Sequence, residues 1–157
     1  MAETLAYLRG MSAALYNSTI LRLAASIPHD RRLAEAEGSS SRRSPICGSR
    51  VTVDVMLDGE GRVAALGQEV RACALGQASA SLMGTHAIGR SLDELEAARD
   101  ALTAYLAGER DDPGDWPGVE VLIPARDYPA RHPSIRLAFE AVAEAASAAA
   151  LRRGAAA

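Results

Sequence analysis

A strand–turn–strand pattern between residues 50 and 71 constrains the fold of this chain more than any other feature. Alternate residues from Val51 to Leu57 are apolar, which is the period of a strand with one buried face. Residues 58–61 (Asp-Gly-Glu-Gly) then supply a turn, and apolar residues from Val63 to Val70 lead a return strand towards Cys73. The pattern predicts an antiparallel β-hairpin.

Helical patterns surround this hairpin. The spacing of apolar and capping residues predicts helices over 5–27, 73–88, 91–108 and 134–151, with Pro28 after the first and a capping box at Ser91 opening the third. The helix after Cys73 is rich in Ala, Ser and Gly, so its backbone can approach a neighbour closely. The polar segment 37–43 is either a loop or an edge strand. Helices combined with a hairpin predict an α+β fold.

Length and charge limit the kinds of domain and partner that this chain is expected to have. At 157 residues the chain is predicted to form one domain over 1–157, with 152–157 as a frayed tail. A formal net charge of −3 with scattered basic residues argues against a nucleic-acid partner. Without an apolar run long enough for a bilayer, we expect no membrane association. With two cysteines and no sign of an oxidising compartment, we expect a cytoplasmic protein with reduced thiols.

The two cysteines have unlike surroundings. Cys47 lies in residues 45–49 (Pro-Ile-Cys-Gly-Ser), where a loop enters the first hairpin strand. Cys73 lies where the return strand turns into a helix, and the exposed N–H groups of a helix start favour a thiolate. The hairpin between them is predicted to bring both sulfurs to one end of the sheet. A thiolate is the form that binds metal or attacks sulfur.

These segments resemble the iron–sulfur cluster scaffold family of IscU, NifU (N-terminal domain) and SufU. Residues 45–49 are similar to the family's Pro-x-Cys-Gly-Asp loop, and residues 73–83 to its Gly-Cys-x-Ile-Ser-x-Ala-Ser-x-Ser-Met block. Residues 15–21 and 28–31 resemble its opening helix and the turn after it. SufU looks closer than IscU. The resemblance implies a small three-stranded antiparallel sheet with helices packed mainly on one face, and a non-enzymatic role.

Two residues depart from the family pattern. Ser49 stands where the family has an aspartate, and Ser134 stands where it has its third cysteine. A [2Fe–2S] cluster and a structural zinc each take four ligands, and a serine hydroxyl is a poor one. Either His132 with water or a carboxylate completes a labile site, or two chains in a homodimer each contribute Cys47 and Cys73.

Plainer roles are open for the other candidates. His132 beside a proline is typical of a loop residue or a cap partner, Ser134 of an N-cap, and Ser49 of a residue that caps or bends a strand start. The segments offer no Gly-rich phosphate loop, and a Cys73–His132 nucleophile–base pair has no oxyanion-hole signature beside it. We therefore expect no enzymatic activity.

The favoured function is that of a scaffold. Cys47 and Cys73 would receive sulfur from a cysteine desulfurase, hold iron, zinc or a transient [2Fe–2S] cluster, and pass the cargo to recipient proteins. One alternative is a sulfur relay, in which a thiol carries persulfide and no cluster is assembled. Another is a degenerate scaffold that acts only as an adaptor for assembly partners.

Overall fold

One three-stranded sheet and four α-helices make up the regular structure of the part of the chain described here. The computed structural model describes residues 15–45 and 48–156, with side chains to residue 154. In chain order the elements are α1 Ser18–Ala25, β1 Gly38–Arg43, β2 Arg50–Leu57, β3 Val63–Arg71, α2 Ala74–His86, α3 Leu92–Leu106 and α4 His132–Ala156. Two 3-10 helices, Val119–Asp127 and Pro129–Arg131, connect α3 to α4.

The sheet has the strand order β1-β2-β3 with antiparallel pairing throughout. The predicted hairpin is confirmed, with Val55 paired to Leu66 and the turn closed by Asp58, whose N–H donates to the Arg62 carbonyl at 2.7 Å. The polar segment before it forms the edge strand β1, in which Gly38 pairs with Val55. The predicted α+β class with a three-stranded antiparallel sheet is therefore correct.

The inner face of the sheet packs against α4. Val51, Val53 and Val55 are fully buried there, and each contributes roughly 1.5–3 kcal/mol when a valine side chain leaves water. Gly38 allows β1 to lie directly on the helix, because a Cβ at this position would lie 2.0 Å from the Ala145 carbonyl oxygen. The helices α2 and α3 pack against α4 in turn, so the core lies between the sheet and the helices.

The outer face of the sheet is partly covered by the chain between α1 and β1. Asp54, 1% exposed, accepts hydrogen bonds there from Arg32 Nε at 2.7 Å, the Leu33 N–H at 3.0 Å and Ser39 Oγ at 2.6 Å. Burial acts to raise the pKa of Asp54, but these hydrogen bonds outweigh it and hold the pKa below its ordinary value of 3.8. A charged carboxylate therefore fastens this segment to the sheet.

The termini of the described helices differ from the predictions. The predicted opening helix is described only from residue 15 onwards, where α1 runs from Ser18 to Ala25; residues 5–14 lie outside the description. The tail expected to fray from residue 152 is helical to Ala156. Arg153 holds it by donating to both carboxylate oxygens of Glu37 and to the carbonyls of Leu57 and Asp58. A basic residue in a last helical turn also interacts favourably with the helix dipole.

A membrane-spanning helix would have to be long and apolar. None of the helices within 15–45 and 48–156 meets both conditions.

Replacing Asp54 with Asn tests the outer-face anchor. Charge-assisted hydrogen bonds to a buried carboxylate contribute about 1.5–3 kcal/mol, so we expect a loss of about 2 kcal/mol in the free energy of unfolding at neutral pH. Because the folded-state pKa is depressed, this stability is present above pH 3.8 and is lost as the pH falls through the folded-state value. Urea unfolding at several pH values measures both effects.

The exposed carboxyl of Asp111 provides the control. Asp111→Asn is expected to leave the free energy of unfolding within about 0.5 kcal/mol of the parent, as is usual for surface substitutions. Equal stability of Asp54→Asn and Asp111→Asn at neutral pH would contradict the anchoring role.

Candidate functional site

Cys73 lies at the junction between β3 and α2. It is the N-cap residue of α2, with φ −66° and ψ 171°, and its side chain makes no capping hydrogen bond. The thiol is half-buried and packs at the edge of the core. A residue in this position is held by the strand before it and the helix after it, while its sulfur stays within reach of another molecule.

Cys47 lies outside the described residues together with Ile46, but the chain on either side of this pair is described. The Ser44 N–H donates to the Ser49 carbonyl at 2.8 Å and closes the β1–β2 connection. The last pairs of the sheet join Arg43 to Arg50 and Arg50 to Arg71. The connection that carries Cys47 and the junction that carries Cys73 therefore leave the sheet at the same end. The convergence of the two sulfurs stays a prediction.

Ser49 and Ser134 meet at this end of the sheet. Their hydroxyl oxygens lie 3.4 Å apart in a hydrogen bond, with 4% and 1% of the two residues exposed. Ser134 also lies against the first turn of α2, because a Cβ on Gly76 would lie 3.3 Å from the Ser134 carbonyl oxygen. The fold thus brings the β1–β2 connection, the α2 start and the first turn of α4 together.

Small side chains on α2 make this approach possible. A Cβ on Gly76 would also lie only 2.7 Å from the Cβ of Ala72, so a larger residue would disturb the β3–α2 junction as well as press on Ser134. One turn further along α2, Ser79 Oγ donates to the Ile135 carbonyl at 2.6 Å. The close approach predicted from the Ala-, Ser- and Gly-rich sequence is present, and it sets the position of Ser134 relative to Cys73.

Comparisons with known proteins show which family the chain belongs to. A scan against protein-family models finds no match. The chain is 28% identical over 131 residues to the iron–sulfur cluster assembly scaffold protein IscU of Thermotoga maritima, across 83% of this chain and 92% of that protein. It is 39% identical to the crystal structure of a nitrogen-fixing NifU-like protein (N-terminal) from Brucella abortus, with a TM-score of 0.84 over 90% of this chain and 98% of that one. The chain belongs to the IscU/NifU/SufU-like family.

A third protein shares the fold at lower identity. The putative SufU scaffold protein of Fervidobacterium islandicum is 20% identical, with a TM-score of 0.75 over 86% of this chain and 98% of that one. The predicted resemblance to the scaffold family is confirmed for the chain as a whole, and this third protein shows the same fold.

His132 is engaged in the structure by backbone carbonyls. Its Nε2 lies 3.0 Å from the Ala125 oxygen and 2.9 Å from the Arg126 oxygen, at the end of the first 3-10 helix. Both partners are acceptors, so Nε2 carries a proton and has no lone pair for a metal. His132 is 8% exposed and holds the connection to α4 in place. Any part in ligation would fall to Nδ1.

Ser134 does not cap the last helix. The sequence predicts it as the N-cap, but α4 already begins at His132, directly after the 3-10 helix Pro129–Arg131. Pro133 is compatible with this earlier start, because the first helical turn needs no N–H donor from its residues. Ser134 therefore presents its side chain from within the first turn of α4, towards Ser49.

The donor set near Cys73 is sparse. Among the side chains described, no three of His, Cys, Asp and Glu come together as a group that could hold a metal ion. The positions predicted to match the family's aspartate and third cysteine carry the hydroxyls of Ser49 and Ser134. Hydroxyls are hard, neutral donors, whereas iron–sulfur clusters take thiolates. One chain therefore offers soft ligands only from its two cysteines.

Sequence reasoning missed three arginines at the same end of the sheet. Arg43, Arg50 and Arg71 end β1, begin β2 and end β3, and the register places them in one cross-strand row. They are scattered in the sequence and become neighbours only through strand pairing. The signal was available in principle, since a hairpin of known register aligns residue 50 with residue 71.

A Gly76→Ala variant tests the close packing of the first turn of α2 against Ala72 and Ser134. The added methyl would overlap Ala72 and press on Ser134, so we expect a loss of about 1–3 kcal/mol in the free energy of unfolding despite the better helix propensity of alanine. Gly154→Ala is the matched control, because a Cβ there meets nothing within 4 Å. It is expected to gain up to about 1 kcal/mol. Thermal and urea unfolding compare the two variants, and a stabilised Gly76→Ala would refute the close packing around Gly76.

Proposed function

We propose that this chain is an iron–sulfur cluster assembly scaffold that receives sulfur and iron, or a nascent cluster, at Cys47 and Cys73 and passes it on. The observation that supports the proposal is the meeting of Ser49 with Ser134 beside Gly76, in the first turn of the helix that Cys73 caps. The NifU-like protein at 39% identity and the IscU scaffold at 28% support it.

The proposed chemistry is carried by thiolates. A thiolate of this chain attacks the outer sulfur of a persulfide on a cysteine desulfurase, the donor's S–S bond breaks, and the donor cysteine leaves as a thiolate. The new persulfide, or the thiolates themselves, then bind iron as cargo. The chain holds and transfers this cargo without catalysing a reaction of its own, and the cytoplasm is the compartment we propose. The recipients are proteins that need the cluster.

Two chains together supply a complete soft ligand set. Each brings Cys47 and Cys73, so a homodimer offers the four thiolates that a [2Fe–2S] cluster takes. In this form, cluster binding and dimerisation occur together. Zinc or iron could occupy the same thiolates before sulfide arrives, since all of these cargoes bind thiolate ligands.

One observation favours a second candidate, a sulfur relay. Ser49 and Ser134 hydrogen-bond to each other at the positions where the family has an aspartate and a cysteine, and Nε2 of His132 is occupied by carbonyls. A persulfide needs only one thiol, whereas a cluster needs four ligands. A chain with this donor set suits sulfur transfer without cluster assembly.

Anaerobic reconstitution with ferrous iron and sulfide tests the scaffold function. The expected product carries iron and sulfide with visible absorbance, and Cys47→Ser or Cys73→Ser abolishes most of it, because each removes one of two soft ligands. Ser147→Ala, far along α4, is the control and should load like the parent. Chain mass in the loaded state shows whether two chains share the cluster.

The relay gives a different result in the same experiment. Its signature is one added sulfur on a single cysteine, seen by mass spectrometry after incubation with a cysteine desulfurase and cysteine, with no bound iron. If neither iron nor added sulfur is found on either thiol, both functions are refuted.

Replacing Ser134 with Cys tests the geometry of the third ligand position. The new thiol would lie beside Ser49 and the α2 start, so we expect bound iron to resist a chelator longer than in the parent. Ser147→Cys, on the same helix but away from this end, controls for the mere addition of a thiol. Equal iron retention by the two variants would show that position 134 does not face the cargo.

A further inference from the structure

A row of three arginines crosses the sheet at the end that carries the cysteine segments. Arg43 pairs with Arg50, and Arg50 pairs with Arg71, so one arginine from each strand stands in line. Neighbouring strands lie about 4.8 Å apart, so this arginine row is about 10 Å long. Alternation along the strands places it on the outer face, opposite the face that packs on α4.

The arginine row is under-neutralised. Glu69 is the carboxylate beside it, with its Oε1 3.8 Å from Arg50 Nη2 and 3.9 Å from Arg71 Nε. These are long ion pairs, and one negative charge faces three positive ones. Like charges directly opposite each other on paired strands destabilise a sheet. The stability of the sheet alone therefore does not account for this row.

The row is also open to other molecules. The side chains of Arg50 and Arg71 are 37% and 74% exposed, and Arg43 is exposed as well. A shallow groove of about 340 Å³ borders the row on the same face, lined in part by Ser41 and Thr52, whose hydroxyls hydrogen-bond at 2.9 Å. A bound segment would find charge in the row and hydroxyls in the groove.

The position of the row links it to the cysteines. Arg43 and Arg50 flank the connection that contains Cys47, and Arg71 lies two residues before Cys73. Anything seated on the row therefore lies beside both cysteine-bearing segments. Proteins keep locally unfavourable arrangements mainly at functional sites, so we expect the row to have a function.

We propose that the arginine row of Arg43, Arg50 and Arg71 is a docking surface for an acidic segment of the protein that exchanges sulfur or cluster with this chain. The partner's role in that exchange rests on the function proposed above. Guanidinium groups bind carboxylates in bidentate pairs, so two or three Asp or Glu side chains on one face of an extended segment match the row. Binding would remove the like-charge repulsion that the free sheet carries.

Charge and size favour a protein segment over other polyanions. The chain as a whole carries a net charge of −3, so the positive charge of the row is a local feature. Nucleic-acid binding uses many phosphate contacts along an extended basic surface, and this row offers three cations over about 10 Å. A short acidic peptide segment fits that length.

The test uses fluorescence anisotropy with a fluorescein-labelled oligoglutamate peptide as the probe. In the triple variant Arg43→Gln, Arg50→Gln, Arg71→Gln, we expect binding at least about tenfold weaker than in the parent, since exposed pairs contribute modestly and three are lost. Raising the salt concentration should weaken binding to the parent more steeply than to the triple variant.

The control variant removes the same charge elsewhere. Arg22→Gln, Arg110→Gln, Arg152→Gln changes three exposed arginines outside the row and should bind the peptide like the parent. Equal weakening in both triple variants would show a general charge effect and overturn the proposal. So would tighter binding of single-stranded DNA or of phosphatidylserine vesicles than of the peptide.

Two further measurements separate the proposal from misfolding and from the function itself. Thermal unfolding of the row variant should occur at or above the parent's temperature, because the repulsion is gone. Chemical loading with iron and sulfide needs no protein donor, so the row variant should load as the parent does. Failure of loading in the parent refutes the scaffold alone, whereas failure of peptide binding in the parent refutes the docking surface alone.

Discussion

The packing of α4 against the inner face of the sheet is the contact on which the rest of the structure depends. It is made almost backbone to backbone: Gly38 faces the helix, and the helix presents alanines, of which Ala138, Ala141, Ala145 and Ala149 are completely buried. Few aromatic side chains are available to fill space, with Trp116 and Phe139 meeting edge to face at 5.4 Å. The core is therefore filled by the close approach of small residues and not by large side chains. The same closeness brings Ser134 to the start of α2.

Much of this architecture was predictable from local patterns. The hairpin follows from strict alternation between residues 51 and 57, and the capping box follows from Ser91, whose hydroxyl accepts from the Glu94 N–H at 3.2 Å. The close approach of α2 followed from its composition. The start of α4 at His132 did not follow from local patterns. The 3-10 helix Pro129–Arg131 runs directly into α4, and Pro133 at the second position of α4 gives no sequence signal for the boundary between them. Its helical C-terminus depends on Arg153 reaching Glu37, a contact 116 residues apart.

The candidate site was only partly within reach of sequence reasoning. Cys73 and the family positions Ser49 and Ser134 could be named from motifs, because each motif is local. Their mutual arrangement could not, since it depends on Gly76 and on the depth at which α4 is seated. The arginine row shows the same limit, because its members are up to 28 residues apart and become neighbours only through strand register. Residues near in space but distant in sequence need the pairing before they can be recognised.

Arg153 anchors the C-terminal end of α4 to the sheet, and this anchor also limits movement of the N-terminal end along the helix axis. At about 1.5 Å per residue, the distance along the helix from Ser134 near the cysteine segments to Arg153 beside the hairpin turn is roughly 28 Å. Arg153 binds Glu37 and two strand carbonyls there, so sliding of the helix along its axis would break several bonds at once. Ser134 is therefore held at a set position along the helix axis, and it gives the neighbouring segments at Ser49 and Cys73 a fixed reference.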